Sequence, residues 1–359
     1  MDRPCVMLCT ANGVGLGHLS RMMAIARELE SRADVIIFTL SQAVAIPVEH
    51  GFHTEFVRSP EYGHVSGSEW NAFYARRLAG MIELYQPSVI VFDGSHPYSG
   101  LCKAARDHPD RHWVWCRRGM WRDGAGHAAI DRTDSFSLIL EPGEYARDYD
   151  IGLTARRRDE SLEVGPITFG TPDAVIPRTA ARAELGLDPD RPAALLQLGA
   201  GQINDVASLS GKVMSALRRR DDIQIAVAES ILVRDPVELP PDVVRVQRYP
   251  LAWYVDAFDL SFMASGYNSF HEALSLRLPT LFIPNLNTKM DDQGARARFA
   301  HDAGVGLRWS ETEEVAIEGV VEQLADPAEQ ARMRDTMAAL PPADGGSGAA
   351  DAIMMWAGL

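Results

Sequence analysis

The chain has 359 residues, of which 46% are hydrophobic and 23% charged, which is enough for two ordinary domains with their own cores. The formal net charge of −14 opposes nonspecific binding to nucleic acid or anionic lipid. No apolar run approaches the roughly 20 residues that span a membrane. The four cysteines lack CxxC spacing, so we expect reduced thiols in a cytoplasmic protein without a zinc site.

The chain opens with a strand, a glycine-rich loop and a helix. Val6–Thr10 is apolar enough for a buried strand, the loop leads directly to His18, and Leu19–Ser31 has the apolar spacing of a helix before a second strand, Val35–Leu40. This order predicts a doubly wound α/β domain. A dinucleotide fingerprint would need G-x-G-x-x-G and a carboxylate closing the second strand. Both are missing. The loop has Gly13, Gly15 and Gly17, which is G-x-G-x-G spacing, and the second strand ends without a carboxylate.

His18 is a candidate general base. The dipole of the helix that follows disfavours its charged form, so the ring can stay neutral and accept a proton; the alternative is a histidine that only caps or packs the turn. A buried strand ends in Asp93, where α/β sheets place functional groups. Asp93 could hold His18 in one tautomer, or simply form a turn before Gly94. His96 is a weaker rival for either role.

Two aromatic segments precede the middle of the chain. Trp70, Phe73 and Tyr74 have helical spacing, which fits either a core or an apolar pocket wall. Trp121 follows the predicted strand His112–Cys116.

A second α/β half begins at the strand Ala193–Leu198. It is followed by a glycine loop whose N–H groups could cradle a phosphate, or which could be an ordinary strand–helix turn. Asp188-Pro189-Asp190 spells D-x-D, but the proline places it in a turn, so we interpret it as a loop and not as a metal site.

The most informative segment is Met263–Gln293. A strand ends at Met263, a Ser-Gly turn follows, and Asn268 or Ser269 is predicted to cap the next helix. The start of that helix would suit a phosphate, and Glu272, one turn inside, could accept both hydroxyls of a ribose. An ordinary βαβ unit is the alternative.

This segment resembles the nucleotide-sugar site of GT-B glycosyltransferases, especially the peptidoglycan N-acetylglucosaminyltransferase group and its natural-product relatives. It shares their small-Gly-x-x-Ser/Thr-x-x-Glu motif and their acidic or amide-rich turn, here Asp291-Asp292-Gln293. The N-terminal loop is similar to the G-x-x-G-H loop of the same enzymes. The resemblance implies a GT-B fold, in which two Rossmann-like doubly wound α/β domains face a central cleft.

The implied domains are an acceptor-binding domain at 1–163, a nucleotide-sugar-binding domain at 164–342, and a segment at 343–359 that packs back on the first. The stretch Pro341–Gly348, rich in Pro and Gly, predicts a flexible break before that segment.

The resemblance also implies residue roles, with His18 as the base, assisted by Asp93. The donor side is implied to comprise Gly199, Gly201, Gln202, Tyr249, Leu251, Ser265, Gly266, Asn268, Ser269, Glu272, Asp292 and Gln293. The acceptor side is implied to comprise Gly15, Gly17, Trp70, His96 and Trp121.

The implied activity is transfer of a sugar from a nucleoside diphosphate, UDP before dTDP, to a hydroxyl of a small-molecule or natural-product acceptor. Inversion at the anomeric carbon is expected, without metal or cofactor. A nucleotide-sugar 2-epimerase on the same fold and a non-catalytic nucleotide-sugar-binding partner stay open as alternatives. A homodimer is also left open.

Overall fold

The computed structural model describes residues 3–11, 16–60, 65–199, 206–233, 236 and 238–359. The chain divides into two compact units. The first consists of Met1–Glu144, Asp150–Thr168 and Asp344–Leu359, and the second of Tyr145–Tyr149 and Phe169–Ala343. Within the described ranges, no helix has the length and apolar character needed to cross a membrane.

The first unit is built on a parallel sheet. Its strands within the described residues are β1 (Cys5–Thr10), β2 (Asp34–Thr39), β3 (His53–Phe56), β4 (Val89–Asp93), β5 (His112–Cys116), β6 (Leu138–Glu141) and β7 (Ser161–Glu163). They are ordered β3-β2-β1-β4-β5-β6-β7, which places β1 and β4 at the centre. Its helices up to this point are α1 (Gly17–Leu29), α2 (Ala45–Glu49), α3 (Gly67–Tyr85), α4 (Ser99–Asp107) and α5 (His127–Ile130).

The second unit is built on another parallel sheet. Its described strands are β8 (Ala193–Gln197), β9 (Gln224–Ala228), β10 (Val243–Val246), β11 (Leu260–Met263), β12 (Thr280–Phe282) and β13 (Leu307–Arg308), in the order β10-β9-β8-β11-β12-β13. The helices are α6 (Arg178–Leu185), α7 (Val206–Leu217), α8 (Tyr267–Ser275), α9 (Gln293–Asp302), α10 (Ile317–Ala325) and α11 (Pro327–Met337). The predicted pair of parallel α/β domains is therefore confirmed.

The terminal helix α12 (Gly345–Trp356) belongs to the first unit and packs on α1. The flexible break predicted at Pro341–Gly348 is wrong in its second half, because the helix begins at Gly345. A Cβ on Gly345 would lie 1.8 Å from the carbonyl oxygen of Gly165, and one on Gly348 would lie 3.5 Å from Val164. The first glycine is thus required by a close approach of two backbones.

The D-x-D turn at 188–190 is held by one buried arginine of α6. Arg182, 1% exposed, donates from Nη1 to the carbonyl oxygens of Asp188, Pro189 and Arg191 at 2.8–2.9 Å. Its Nη2 donates to Oδ2 of Asp259 at 2.9 Å. The turn is therefore a structural connection between α6 and β8, built around the guanidinium.

We expect Arg182→Met to lower the free energy of unfolding of the protein by about 3–5 kcal/mol, because it removes the buried guanidinium that donates to three carbonyl oxygens of the turn and to Asp259. Chemical denaturation followed by circular dichroism measures this. Arg178→Met is the matched control: Arg178 lies on the same helix and pairs with the same Asp259, but its side chain is 43% exposed. Its loss should cost less than about 1 kcal/mol. Equal costs for the two variants would contradict this account.

Candidate functional site

In the first unit, His18 and Asp93 meet at the carboxyl ends of two neighbouring strands. β1 pairs in parallel with β4, so α1, which follows β1, starts beside the end of β4. Nδ1 of His18 lies 2.5 Å from Oδ1 of Asp93. The His18 side chain is 18% exposed and that of Asp93 only 1%. The structure thus brings the two predicted catalytic residues together, with the histidine partly exposed.

Arg21 completes this cluster and was not predicted from the sequence. Its Nε donates to Oδ2 of Asp93 at 2.8 Å and its Nη2 donates to Oδ1 at 2.7 Å. Arg21 is buried, with 2% of its surface exposed. Burial alone would raise the pKa of Asp93, but the combined charges and hydrogen bonds of Arg21 and His18 outweigh it and hold that pKa below its usual range. Asp93 is therefore a carboxylate.

Because Asp93 is ionised, Nδ1 of His18 must carry a hydrogen and donate it, which leaves Nε2 as the nitrogen that can accept a proton. Burial lowers the pKa of His18, the charges of Arg21 and Arg118 lower it further, and Asp93 acts in the opposite direction. The ring is therefore neutral at neutral pH, as a base must be. The signal that could have identified Arg21 is its spacing, since residues at i and i+3 share a helix face.

In the second unit, a pocket lies at the carboxyl ends of β8 and β11. The predicted donor residues Leu251, Ser269 and Glu272 line it. The remaining lining is mostly apolar and includes Leu195, Ala252, Val255, Met263, Ala273 and Leu276. The arrangement joins an apolar wall to one carboxyl group and to the first turn of α8.

Glu272 is the acidic group of this pocket. Burial raises its pKa to about 7, while the hydrogen bond that it accepts from the backbone N–H of Gly170 acts in the opposite direction. A Cβ on Gly170 would lie 2.3 Å from the Cβ of Ala252, which belongs to the 3-10 helix Leu251–Ala257. Only glycine therefore fits between that 3-10 helix and the carboxyl group of Glu272. Like Arg21, Gly170 is a residue of a candidate site that the sequence did not reveal, because its partner Glu272 is about a hundred residues away in the chain.

The start of α8 differs from the prediction. The helix begins at Tyr267 with Gly266 as its N-cap in extended backbone (φ −67°, ψ 153°), and a glycine has no side chain that could cap the helix. The prediction that Asn268 or Ser269 caps the helix is therefore wrong; both lie inside its first turn. The N-terminal end of a helix carries partial positive charge and favours a negatively charged ligand.

Ser265 and Gln293 hold the turn before α8 in place. Ser265 is fully buried, and its hydroxyl donates to the carbonyl oxygen of Gln293 at 2.8 Å. The side-chain oxygen of Gln293 accepts from the backbone N–H of Asn285 at 3.0 Å. The amide nitrogen of Gln293 lies 3.7 Å from where a Cβ on Gly266 would stand, so Gln293 borders the entrance of the helix.

The acidic turn before α9 has structural duties. Asp292 caps α9, accepting from the backbone N–H of Ala295 at 2.9 Å. Asp291 binds the fully buried Arg296, with 2.8 Å between Oδ1 and Nη1. The predicted contact of Asp292 with a donor sugar stays a prediction.

The remaining predicted residues lie in different parts of the structure. Gly199 and Gly17 lie at strand–helix connections, the former exposed with φ +105° and the latter as the first residue of α1. Tyr249 is half-buried and stacks on Phe169 with 6.2 Å between ring centroids. Trp70 and Trp121 are 3% and 2% exposed and therefore belong to the core, whereas His96 is exposed. Gly15, Gly201 and Gln202 lie outside the described residues.

Sequence relatives belong to one enzyme class. The chain is similar to the UDP-N-acetylglucosamine--N-acetylmuramyl-(pentapeptide) pyrophosphoryl-undecaprenol N-acetylglucosamine transferase of Bifidobacterium adolescentis, with 27% identity over 368 residues that cover 90% of each chain. The protein of the same name from Nocardioides sp. is 30% identical over 196 residues, 51% of this chain and 52% of its own. No protein-family model matches the chain.

Solved structures with the same fold extend over the whole chain. The calicheamicin glycosyltransferase CalG4 matches with a TM-score of 0.64 and 18% identity over 100% of this chain and 99% of its own. MurG of Acinetobacter baumannii matches with a TM-score of 0.63 and 13% identity, over 98% and 99%. The spinosyn rhamnosyltransferase SpnG complexed with thymidine diphosphate matches with 0.60 and 16%, over 96% and 98%. The fold is therefore GT-B. The resemblance to GT-B glycosyltransferases that the motifs indicated is confirmed.

The buried Glu272 predicts a pH-dependent gain in stability for Glu272→Gln. Its folded pKa of about 7 lies above the unfolded value, so between about pH 4.5 and 7 the folded state binds more protons and the wild type loses stability as pH rises. The glutamine keeps an acceptor for Gly170 without a charge. We expect it to stabilise the protein by about 1–3 kcal/mol at pH 8 and by little at pH 4.5. Denaturation at both pH values measures this; an unchanged difference would contradict the burial argument.

Proposed function

We propose that this protein transfers a sugar from a nucleoside diphosphate donor to a hydroxyl of a small-molecule or natural-product acceptor, with inversion and without a metal ion. A UDP-sugar is the favoured donor, and a dTDP-sugar is next. The observation that carries the proposal is the pocket of the second unit, where Glu272 lies one turn inside a helix whose N-cap is Gly266.

The donor half of the proposal follows from that pocket. The N–H groups at the start of α8 carry partial positive charge and would bind the diphosphate and stabilise it as it leaves. Glu272 would accept the ribose hydroxyls. Leu251, Ala252 and Val255, from the 3-10 helix that borders the pocket, would face the base. Gln293, beside Gly266, would contact the sugar.

The acceptor half uses the cluster of the first unit. Nε2 of His18 would remove the proton from the acceptor hydroxyl while Asp93 stabilises the imidazolium that forms. The hydroxyl oxygen would then attack the anomeric carbon, and the bond from that carbon to the diphosphate oxygen would break. A single direct displacement inverts the configuration at that carbon.

The class of acceptor is the most specific part of the proposal. The sequence relatives are named for a pyrophosphoryl-undecaprenol substrate and the structural relatives for compounds such as calicheamicin and spinosyn. The net charge of −14 opposes binding to an anionic lipid surface and favours a small molecule. All four cysteines are free, as is usual in a reducing compartment, so we place the reaction in the cytoplasm.

Calorimetric titration with UDP, dTDP, GDP and NAD, first without metal and then with magnesium, tests the donor site. We expect one pyrimidine diphosphate to bind without metal. Glu272→Ala should weaken that binding by about tenfold to a hundredfold, because a hydrogen-bonded charged group is lost. Glu318→Gln, on the same unit but in α10, is the control and should bind normally. Binding of NAD alone, or of no nucleotide, would refute the donor site.

His18→Ala tests the base. We expect kcat for sugar transfer to fall by about a hundredfold to ten-thousandfold, the usual contribution of a general base, while the affinity for the donor nucleotide stays unchanged. Initial rates and a nucleotide titration on the same preparation measure the two effects. Undiminished transfer would remove His18 from the mechanism.

Incubation with donor alone separates the remaining possibilities. A glycosyltransferase needs an acceptor to make its product, whereas a 2-epimerase would convert the donor sugar by itself. A protein that binds the donor but turns over nothing with any acceptor of a broad panel would be a binding partner. Product analysis by mass spectrometry and proton NMR distinguishes these outcomes, and NMR of the new anomeric proton reports inversion.

A further inference from the structure

Two side chains, His18 and Arg21, bind one buried carboxylate at the end of β4. Oδ1 of Asp93 lies 2.5 Å from Nδ1 of His18 and accepts from Nη2 of Arg21 at 2.7 Å. Oδ2 of Asp93 accepts from Nε of Arg21 at 2.8 Å. Arg21 Nη2 also lies 3.0 Å from Nδ1 of His18. Two-point binding by a guanidinium fixes the plane of a carboxylate, which a single contact cannot do. The orientation of Asp93, and through it that of the imidazole, is therefore set by Arg21.

We propose that Arg21 is a positioning residue for the reaction: by binding both oxygens of Asp93, it keeps that carboxylate directed at Nδ1 of His18 and leaves Nε2 as the nitrogen that takes the acceptor proton. This inference rests on the proposed function of His18 as the base. It assigns Arg21 no contact with substrate, since its side chain is 2% exposed.

The charge of Arg21 has a second consequence. Among the residues that the structure describes, the charged and titratable groups that face His18 are Asp93 from β4, Arg21 from its own helix, and Arg118 after β5; Cys116 at the end of β5 lies beside Asp93. Burial, then Asp93, raises the pKa of the Cys116 thiol well above its usual value, so it adds no charge. Arg21 offsets the negative charge of Asp93, and His18 therefore stays unprotonated to lower pH than it would beside an unpaired carboxylate.

The test compares Arg21→Met, which removes the charge, with Arg21→Lys, which keeps the charge but cannot bind two oxygens in a plane. Arg27→Met is the matched control, an arginine of the same helix whose side chain is 32% exposed. The titration of His18 is followed by NMR of histidine-labelled protein without substrate, and its signal is identified by its absence from His18→Gln. In Arg21→Met the midpoint should rise by roughly one unit or more. In Arg27→Met it should not move.

The pH profile of kcat/KM gives the functional reading. Transfer is lost at acid pH as His18 becomes protonated, so in Arg21→Met the acidic limb should move to higher pH. In Arg21→Lys the limb should stay close to that of the wild type, while kcat falls roughly tenfold or more because Asp93 is held less firmly. The KM for the donor should be unchanged in both variants.

A purely structural role would lower the folded fraction without moving the midpoint or the acidic limb, and that result would overturn the proposal. If Arg21→Met does not fold, Arg21→Lys decides: wild-type kcat in that variant would also overturn it. If the wild type transfers no sugar to any acceptor, the proposed function fails, yet the NMR titration of His18 still shows whether Arg21 governs that residue. The two failures are thus distinguishable.

Discussion

Parallel strand pairing is the constraint that places both clusters. Every strand of a parallel sheet ends at the same edge, and every connection must return over a face of the sheet. Because β1 and β4 are neighbours, the first turn of α1 is brought to the end of β4, which joins His18 and Arg21 to Asp93. In the second unit, β8 and β11 are neighbours in the same way, and the first turn of α8 lies at the edge with Glu272 one turn inside.

Two buried carboxyl groups with opposite environments give the clusters their different chemistry. Asp93 is buried against a guanidinium and stays ionised, so it can hold the tautomer of His18 and stabilise its charge. Glu272 is buried beside a backbone N–H and has its pKa raised to about 7. Burial therefore makes its charge costly. Environment and not residue type assigns the two acids their roles.

The sequence was sufficient where the information is local. Strand and helix order, the Gly-His loop and the α8 motif are each encoded by neighbouring residues of the chain, so the sequence alone predicts them. It was insufficient where a partner is distant in the chain: Arg21 acquires its role from a residue 72 positions away. The composition around Gly345 predicts flexibility, because composition cannot show that Gly165 lies against this residue. The predicted cap of α8 is wrong because the extended backbone of Gly266 ends the turn before Asn268 and Ser269, so that both residues lie inside the helix.

The same distinction explains why the donor is easier to infer than the acceptor. Most of the predicted donor residues, from Ser265 to Gln293, lie on one contiguous segment, so a local motif carries their geometry. The predicted acceptor residues were chosen by residue type from separate segments, and the structure places Trp70 and Trp121 in the core, where Trp70 donates to the carbonyl oxygen of Arg58 at 2.8 Å. Large aromatic side chains are first of all core material in an α/β domain. Loops are where proteins that share a fold differ, so residue type alone could not locate an acceptor site in the first unit.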